Sequence, residues 1–235
     1  MKFISWNCNG GLRKKLKSLI ELDADVMVIQ ECENPELTND LIYKSWAKNY
    51  LWVGRTKNRG IGIFVKDGIE LKDNCWSNVY EDEAVNYFIS ARINNSFDIV
   101  GVWAHKNDSI NYGYIGQVWK YLELNKNKLN KALFVGDFNS NEIWDKLHGS
   151  WNHSAVVNTL KSVGLVSLYH KLNAEEFGKE SVPTFYQYRK ADKGYHIDYC
   201  FASSLFVSAV KLFHIGKLDK WLEMSDHLPI IADFK

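Results

Sequence analysis

The sequence repeatedly runs an apolar strand into one polar side chain that can do chemistry. "KFISW" leads to Asn7, "DVMVIQ" to Glu31, "FDIVGVWA" to His105, and "ALFVG" to Asp137, with Asn139 two positions on. Asp198 lies inside "HIDYCF", and Asp226 and His227 stand in "SDHLPI" just before the last strand. Sheets that deliver polar residues to one rim build sites there. The residue types form a coherent set. Glu31 and Asp226 are hard oxygen ligands with no Cys/His cage around them. Such a set suits Mg²⁺, which keeps several waters and binds through one or two carboxylates plus substrate phosphate. Asp137 and Asn139 point the same way if the segment is extended. His227 offers a titratable imidazole beside Asp226, and a facing Asp198 would orient it as a carboxylate orients the histidine of a hydrolytic triad. Asn7, followed by Asn9, Gly10 and Gly11, reads on its own more readily as a turn asparagine than as a site residue.

The elements that must hold these residues follow from hydrophobic period and punctuation. The pattern predicts strands over Lys2–Trp6, Asp25–Gln30, Leu51–Val53, Gly60–Val65, Asn86–Ile93, Phe97–Ala104, Ala132–Val135, His196–Phe201, Phe206–Phe213 and Pro229–Phe234. It predicts helices over Arg13–Leu22, Pro35–Lys48, Tyr114–Leu129 and Ser154–Val163, with Pro35 in a first turn. Many strands with a few interleaved helices suggest an α/β chain of two packed sheets with helices on the outer faces. A chain of 235 residues, 46% of them hydrophobic, buries a substantial core. With three prolines and no Pro/Gly/Ser-rich linker, it reads as a single domain over 1–235. A formal net charge of +1 excludes attachment to nucleic acid by bulk charge but allows a local basic groove. No apolar run suggests a membrane span or a secretory signal. The four cysteines show no zinc or disulfide spacing, and Cys8, Cys32 and Cys200 read as small buried thiols. Together these point to a cytoplasmic monomer with no membrane partner.

Five segments, "WNCNG", "IQE", "GDFN", "IDY" and "SDH", occur in one order from Asn7 to His227. In that order they resemble the endonuclease/exonuclease/phosphatase superfamily, which includes exonuclease III-type nucleases, deoxyribonuclease I and phosphoinositide phosphodiesterases. The resemblance implies a deoxyribonuclease I-like, four-layered sandwich of two mixed sheets flanked by helices. It also implies phosphoester hydrolysis with Mg²⁺ or Mn²⁺. Glu31 would be the principal metal ligand and Asp226 would lie near the metal. Asp137 would orient or deprotonate the attacking water, Asn139 and Asn7 would hold the phosphate and Asp137, and His227, paired with Asp198, would contact a phosphate oxygen. Asn7 then reads as a site residue.

Within the resemblance, two segments pull in different directions. A histidine at the end of "VWAH", here His105, is similar to deoxyribonuclease I and the phosphatases, where it can protonate the leaving oxygen. "PTFYQYRKADKGYHIDY" resembles the exonuclease III segment that walls a pocket for a flipped abasic sugar. Phe185, Tyr195 and Ile197 would be its walls, although Tyr195 replaces the usual tryptophan and His196 the usual arginine. Arg55, Lys57 and Arg59 form a basic loop suited to phosphate contact. Lys106–Lys131, with Asp108 inside it, interleaves lysines with Tyr112, Tyr114, Trp119 and Tyr121, which suits a nucleic-acid groove, but reads more readily as an amphipathic helix with Trp119 and Leu122 inward and a solvated lysine face. The expected activity is a nuclease on DNA, endo- or exonucleolytic, with abasic sites one candidate substrate. The alternative is a phosphatase or phosphodiesterase on a small or lipid phosphate.

Overall fold

A computed structural model of the chain describes residues 1–106 and 112–235. Sixteen strands lie among the described residues: β1 (Lys2–Asn7), β2 (Val26–Cys32), β3 (Tyr50–Thr56), β4 (Arg59–Val65), β5 (Leu71–Asp73), β6 (Val79–Tyr80), β7 (Glu83–Ala84), β8 (Phe88–Ile93), β9 (Phe97–Trp103), β10 (Ala132–Asp137), β11 (Leu165–Ser167), β12 (Phe185–Tyr186), β13 (Gly194–Tyr195), β14 (Asp198–Ser203), β15 (Val210–Ile215) and β16 (Ile230–Phe234). The helices are α1 (Leu16–Ile20), α2 (Leu41–Trp46), α3 (Ile115–Asn125), α4 (His153–Ser162), α5 (Leu168–Asn173), α6 (Ser204–Ala209) and α7 (Leu218–Trp221).

Two six-stranded sheets run β15-β16-β1-β2-β4-β3 and β11-β14-β10-β9-β8-β5. Both are mixed. β1 is parallel to β2 and antiparallel to β16, and β10 is parallel to β9 and antiparallel to β14. Between the sheets lies one apolar cluster that includes Phe3, Val28, Ile61, Ile99, Leu133, Val135 and Cys200. Leu12, Leu16 and Leu19 cover the outer face of the first sheet against Ile4, Trp6, Met27 and Ile29. Val118 and Leu122 of α3 and Val156 and Leu160 of α4 cover the second against Val100, Val102, Phe134 and Phe201. The result is the helix–sheet–sheet–helix sandwich the sequence predicts. All four cysteines are free, with Cys8, Cys32 and Cys200 buried. No helix among the described residues is long and apolar enough to cross a membrane.

Several elements differ from the sequence expectation. The helix expected over Pro35–Lys48 forms only as α2, because side chains take the backbone first: Asn34 Oδ1 accepts from Glu36 N, Thr38 Oγ1 from Asp40 N, and Asp40 Oδ1 caps Tyr43 N. The helix expected over Arg13–Leu22 breaks at Lys15, whose ammonium turns back onto the carbonyls of Cys8 and Gly10. The strand expected over Phe206–Phe213 begins as α6, which lets Phe206 pack edge-on to Phe3 and Phe97 before β15 takes over. The lysine face of α3 is not wholly solvated. Lys120 is 2% exposed, pairs with Glu83 and sits 4.3 Å from the Tyr112 ring centroid. Asp108 lies outside the described residues.

Behind the second sheet sits a buried polar layer. Glu180 accepts from Asn141 Nδ2 at 3.1 Å and lies 3.1 Å from His170 Nε2. His196 Nδ1 lies 2.8 Å from the Val182 carbonyl. Next to them His153 is fully buried with neither ring nitrogen hydrogen-bonded. Burial pushes its pKa down to about 4, against the pull of Asp145 and Glu180. The unfolded chain therefore binds this proton more readily than the fold does. The stability contribution is whole above about pH 6.5 and is lost as pH falls toward 4, by about 3 kcal/mol in all and about 2 kcal/mol by pH 5. Urea unfolding of wild type and His153→Phe at pH 7.5 and pH 5 measures it. The wild type is expected to lose about 2 kcal/mol more than the variant on acidification. Equal losses would assign the acid sensitivity elsewhere.

Candidate active site

Strand alternation aims three of the predicted residues at one another. In β1, Ile4 and Trp6 face the outer helices while Phe3 faces the opposite sheet, so Asn7 falls on the inner face. In β10, Leu133 and Val135 face inward, which puts Asp137 there too. In β14, Cys200 and Ala202 face inward, and with them Asp198, which is the register partner of Asp137. Glu31 breaks the alternation. Its φ is +60°, and the β2–β4 register shifts between Gln30 and Cys32. This bulge gives the outer-face position to Cys32 and turns Glu31 toward the rim. Asn9 and Asn139, at φ +50° and +46°, are also left-handed. Each is held by an Asx-type bond, Asn9 N to Asn7 Oδ1 at 3.0 Å and Asn139 N to Asp137 Oδ1 at 2.8 Å. Backbone in sparsely populated regions gathers at functional rims.

Asp137 is the hub and is fully buried. Its Oδ2 accepts from Asn7 Nδ2 at 3.0 Å and from Asn139 Nδ2 at 2.9 Å. Asn7 Nδ2 also reaches Glu31 Oε1 at 3.3 Å, so one amide ties the carboxylates of both sheets together. Beside the hub, His227 Nδ1 lies 2.9 Å from Asp198 Oδ2, and Asp137, Asp198 and His227 place ligand-capable atoms within 4.8 Å of one another. Burial pushes the Asp137 carboxyl well above the ordinary carboxylate range, with Asp198 adding to the rise and His227 opposing it. Burial alone would lower His227, but Asp198 and Asp137 outweigh it and hold the imidazole charged above its usual range. The pair is thus a buried imidazolium between two carboxyls.

The remaining predicted residues sit around this core. Asn139 ties Asp137 to the end of β9 through Nδ2 to Ala104 O at 2.9 Å. His105, next along, lies edge-on to Tyr87 and Trp103. Asp226 is half-buried next to His227, its Oδ1 3.5 Å from Ser225 Oγ. Phe185 packs 4.7 Å from the His227 ring, and Tyr195 packs 5.2 Å from Trp144. Ile197 is 3% exposed, and its backbone N donates to Thr184 Oγ1. Arg55 is exposed and makes no ion pair among the described residues, whereas Arg59 Nη2 lies 3.0 Å from Glu31 Oε2.

Sequence reasoning missed the residues that fix the dyad. Thr184 Oγ1 donates to Asp198 Oδ2 at 2.7 Å and accepts from the backbone of Ile197 and Asp198. Ser225 Oγ donates to Asn7 O at 2.7 Å and accepts from His227 N, and Trp6 Nε1 donates to His227 O. Their only sequence signal was position, inside "PTF", "SDH" and "SWN".

The model of the Endonuclease/Exonuclease/phosphatase family matches residues 4–227. The chain belongs to this family. No curated protein matches the sequence. Among solved structures, this family member is similar to an AP endonuclease from Archaeoglobus fulgidus, at 21% identity and TM-score 0.74 over 100% of this chain and 99% of the other. It is similar to a 3′ phosphatase, NExo, from Neisseria bound to a product DNA hairpin, at 19% and 0.73 over 100% and 99%. A third is an AP endonuclease from Leishmania major, at 17% and 0.68 over 98% and 86%. At these identities the likeness shows a shared fold.

Proposed function

We propose that this family member hydrolyses phosphodiester or phosphomonoester bonds of DNA with the help of a divalent cation. The observation that carries the reading is the buried carboxyl of Asp137, oriented by two amides and set beside the Asp198–His227 pair. In the charged state Asp137 takes a proton from water, and burial makes it a stronger base than a solvated carboxylate. The water oxygen bonds to phosphorus while the ester P–O bond breaks. His227, held charged by Asp198, stabilises the charge building on a phosphoryl oxygen. In this reading His105, at the end of β9, returns a proton to the departing alkoxide. Asn7 and Asn139 keep Asp137 aimed.

Donor chemistry fits a cation at Glu31. Its Oε2 is buried and accepts no hydrogen bond, and Glu31 and Asp226 are hard oxygen donors that would hold Mg²⁺ or Mn²⁺. When bound, the ion supplies positive charge to the phosphate. DNA is favoured because the similar structures include one with a DNA hairpin and two named for abasic-site cleavage.

The test is a substrate panel: plasmid, abasic duplex, 3′-phosphate duplex, single strand, inositol phosphates and a nitrophenyl phosphodiester, each with Mg²⁺, Ca²⁺ or excess chelator. Cleavage of at least one DNA substrate is expected, with Mg²⁺ required and no rescue by Ca²⁺. His105→Ala should slow the DNA reaction far more than the nitrophenyl ester, whose leaving group needs no proton. Full activity in chelator, or turnover of inositol phosphates alone, would sink the reading.

A further inference from the structure

Glu31 is held from a second direction that the hydrolytic reading does not use. Arg59 opens β4 one residue beyond the Cys32–Gly60 pair, beside the bulge that turns Glu31 toward the rim. The approach is built into the hairpin. The β3–β4 register shifts between Gly54 and Thr56. Trp52 lies across the turn, so that a Cβ on Gly60 would meet its ring at 2.3 Å and Val53 O at 2.4 Å. Trp52 Nε1 donates to Cys32 O at 3.3 Å, and Asn34 N donates to Lys57 O at 2.9 Å, fixing the hairpin to the segment that carries Glu31. With the hairpin so placed, Arg59 Nη2 stands 3.0 Å from Glu31 Oε2, the oxygen that accepts no hydrogen bond. The other oxygen, Oε1, faces Asn7. The guanidinium therefore occupies the side of Glu31 that a cation would need.

We propose that Arg59 is a resident counter-cation of Glu31, which a divalent metal must displace in order to bind. This rests on the reading of Glu31 as a metal ligand. Two positive charges cannot share one carboxylate oxygen without mutual repulsion, so binding of the ion requires the ion pair to part. Arg59 is 55% exposed and its side chain is long, so it can swing away without disturbing the core. The free protein then binds metal more weakly than its donors allow, and Arg59 sets that affinity.

Direct binding reads this without turnover. Free Mn²⁺ is followed by electron paramagnetic resonance during titration of metal-free wild type, Arg59→Gln, Glu31→Gln and the double variant, with near-ultraviolet circular dichroism confirming the fold of each. Arg59→Gln is expected to bind Mn²⁺ about three- to fivefold more tightly than wild type, the upper part of the range of a partly exposed ion pair. In the Glu31→Gln background, where the shared oxygen is gone, the same change should alter affinity less than about twofold. Equal tightening in both backgrounds would mean a diffuse charge effect and overturn the proposal. Unchanged binding in Arg59→Gln, with a large loss in Glu31→Gln, would overturn the role of Arg59 while leaving the hydrolase reading in place. If Glu31→Gln binds Mn²⁺ as wild type does, the assignment of Glu31 as ligand falls, and the proposal falls with it.

Discussion

Asp137→Asn is expected to lower turnover by roughly 10²–10⁴-fold while the protein stays folded, because the change removes a base and keeps the shape. Two effects on stability oppose each other. A buried carboxylate no longer has to be desolvated, but an amide cannot accept from Asn7, Asn139 Nδ2 and Asn139 N as the two carboxylate oxygens do. His227→Ala is expected to cost a similar factor in rate and to destabilise more. It strands Asp198, fully buried beside the Asp137 carboxyl, with Thr184 Oγ1 as its remaining donor among the described residues. Removing one partner of a buried ion pair costs about 3–5 kcal/mol. The double variant should be scarcely slower than the slower single, since base and stabiliser act on one transition state. Circular dichroism with steady-state rates on the best DNA substrate decides it. A single variant retaining more than about a tenth of the wild-type rate would remove its residue from the chemistry.

The site was legible where strand period dictates it. A period of two carries Phe3, Ser5 and Asn7, or Leu133, Val135 and Asp137, on one face, so an apolar run ending in Asn or Asp already aims that side chain into the sandwich. Glu31 shows where this stops. Period alone sends it outward with Met27 and Ile29, and only a left-handed residue in a bulge reverses it. A Glu at φ +60° has no sequence signature, because the conformation is imposed by the neighbouring strand and helix layer. The misread helices fail for a related reason. Pro35 at a first turn is a valid local signal, but Asn34, Thr38 and Asp40 spend their side chains on nearby amides and delay α2 to Leu41. Lys120 reads as solvated because its partner, Glu83, is 37 residues away, while Glu123 in α3 pairs with Lys126. Thr184 and Ser225 belong to the same class. Each binds a group distant in sequence, and hydroxyls are too common to stand out without the fold.

The "GDFN" segment carries a second requirement, on its glycine. Gly136 has φ +147° and is the register partner of Val102 on β9. A Cβ built there would lie 2.0 Å from Val102 O, and 2.8 Å from Val102 C. Both atoms are backbone of a central strand, so the clash cannot be relieved by a rotamer change. The β9–β10 ladder would have to open, or Gly136 would have to leave a conformation that side chains rarely adopt. Gly136→Ala is therefore expected to cost at least about 4 kcal/mol, at the far end of single-substitution effects. For a chain of this size that lowers Tm by about 8–16 °C. Asp137 follows Gly136 directly, so any ladder opening also moves the carboxyl away from Asn7 and Asn139, and activity at low temperature should fall with stability. The contrast with Asp137→Asn is the control, since that variant is expected to lose activity while staying folded. A Gly136→Ala protein melting within about 3 °C of wild type would show that β9 and β10 can part without cost, and the close approach would then owe nothing to the glycine.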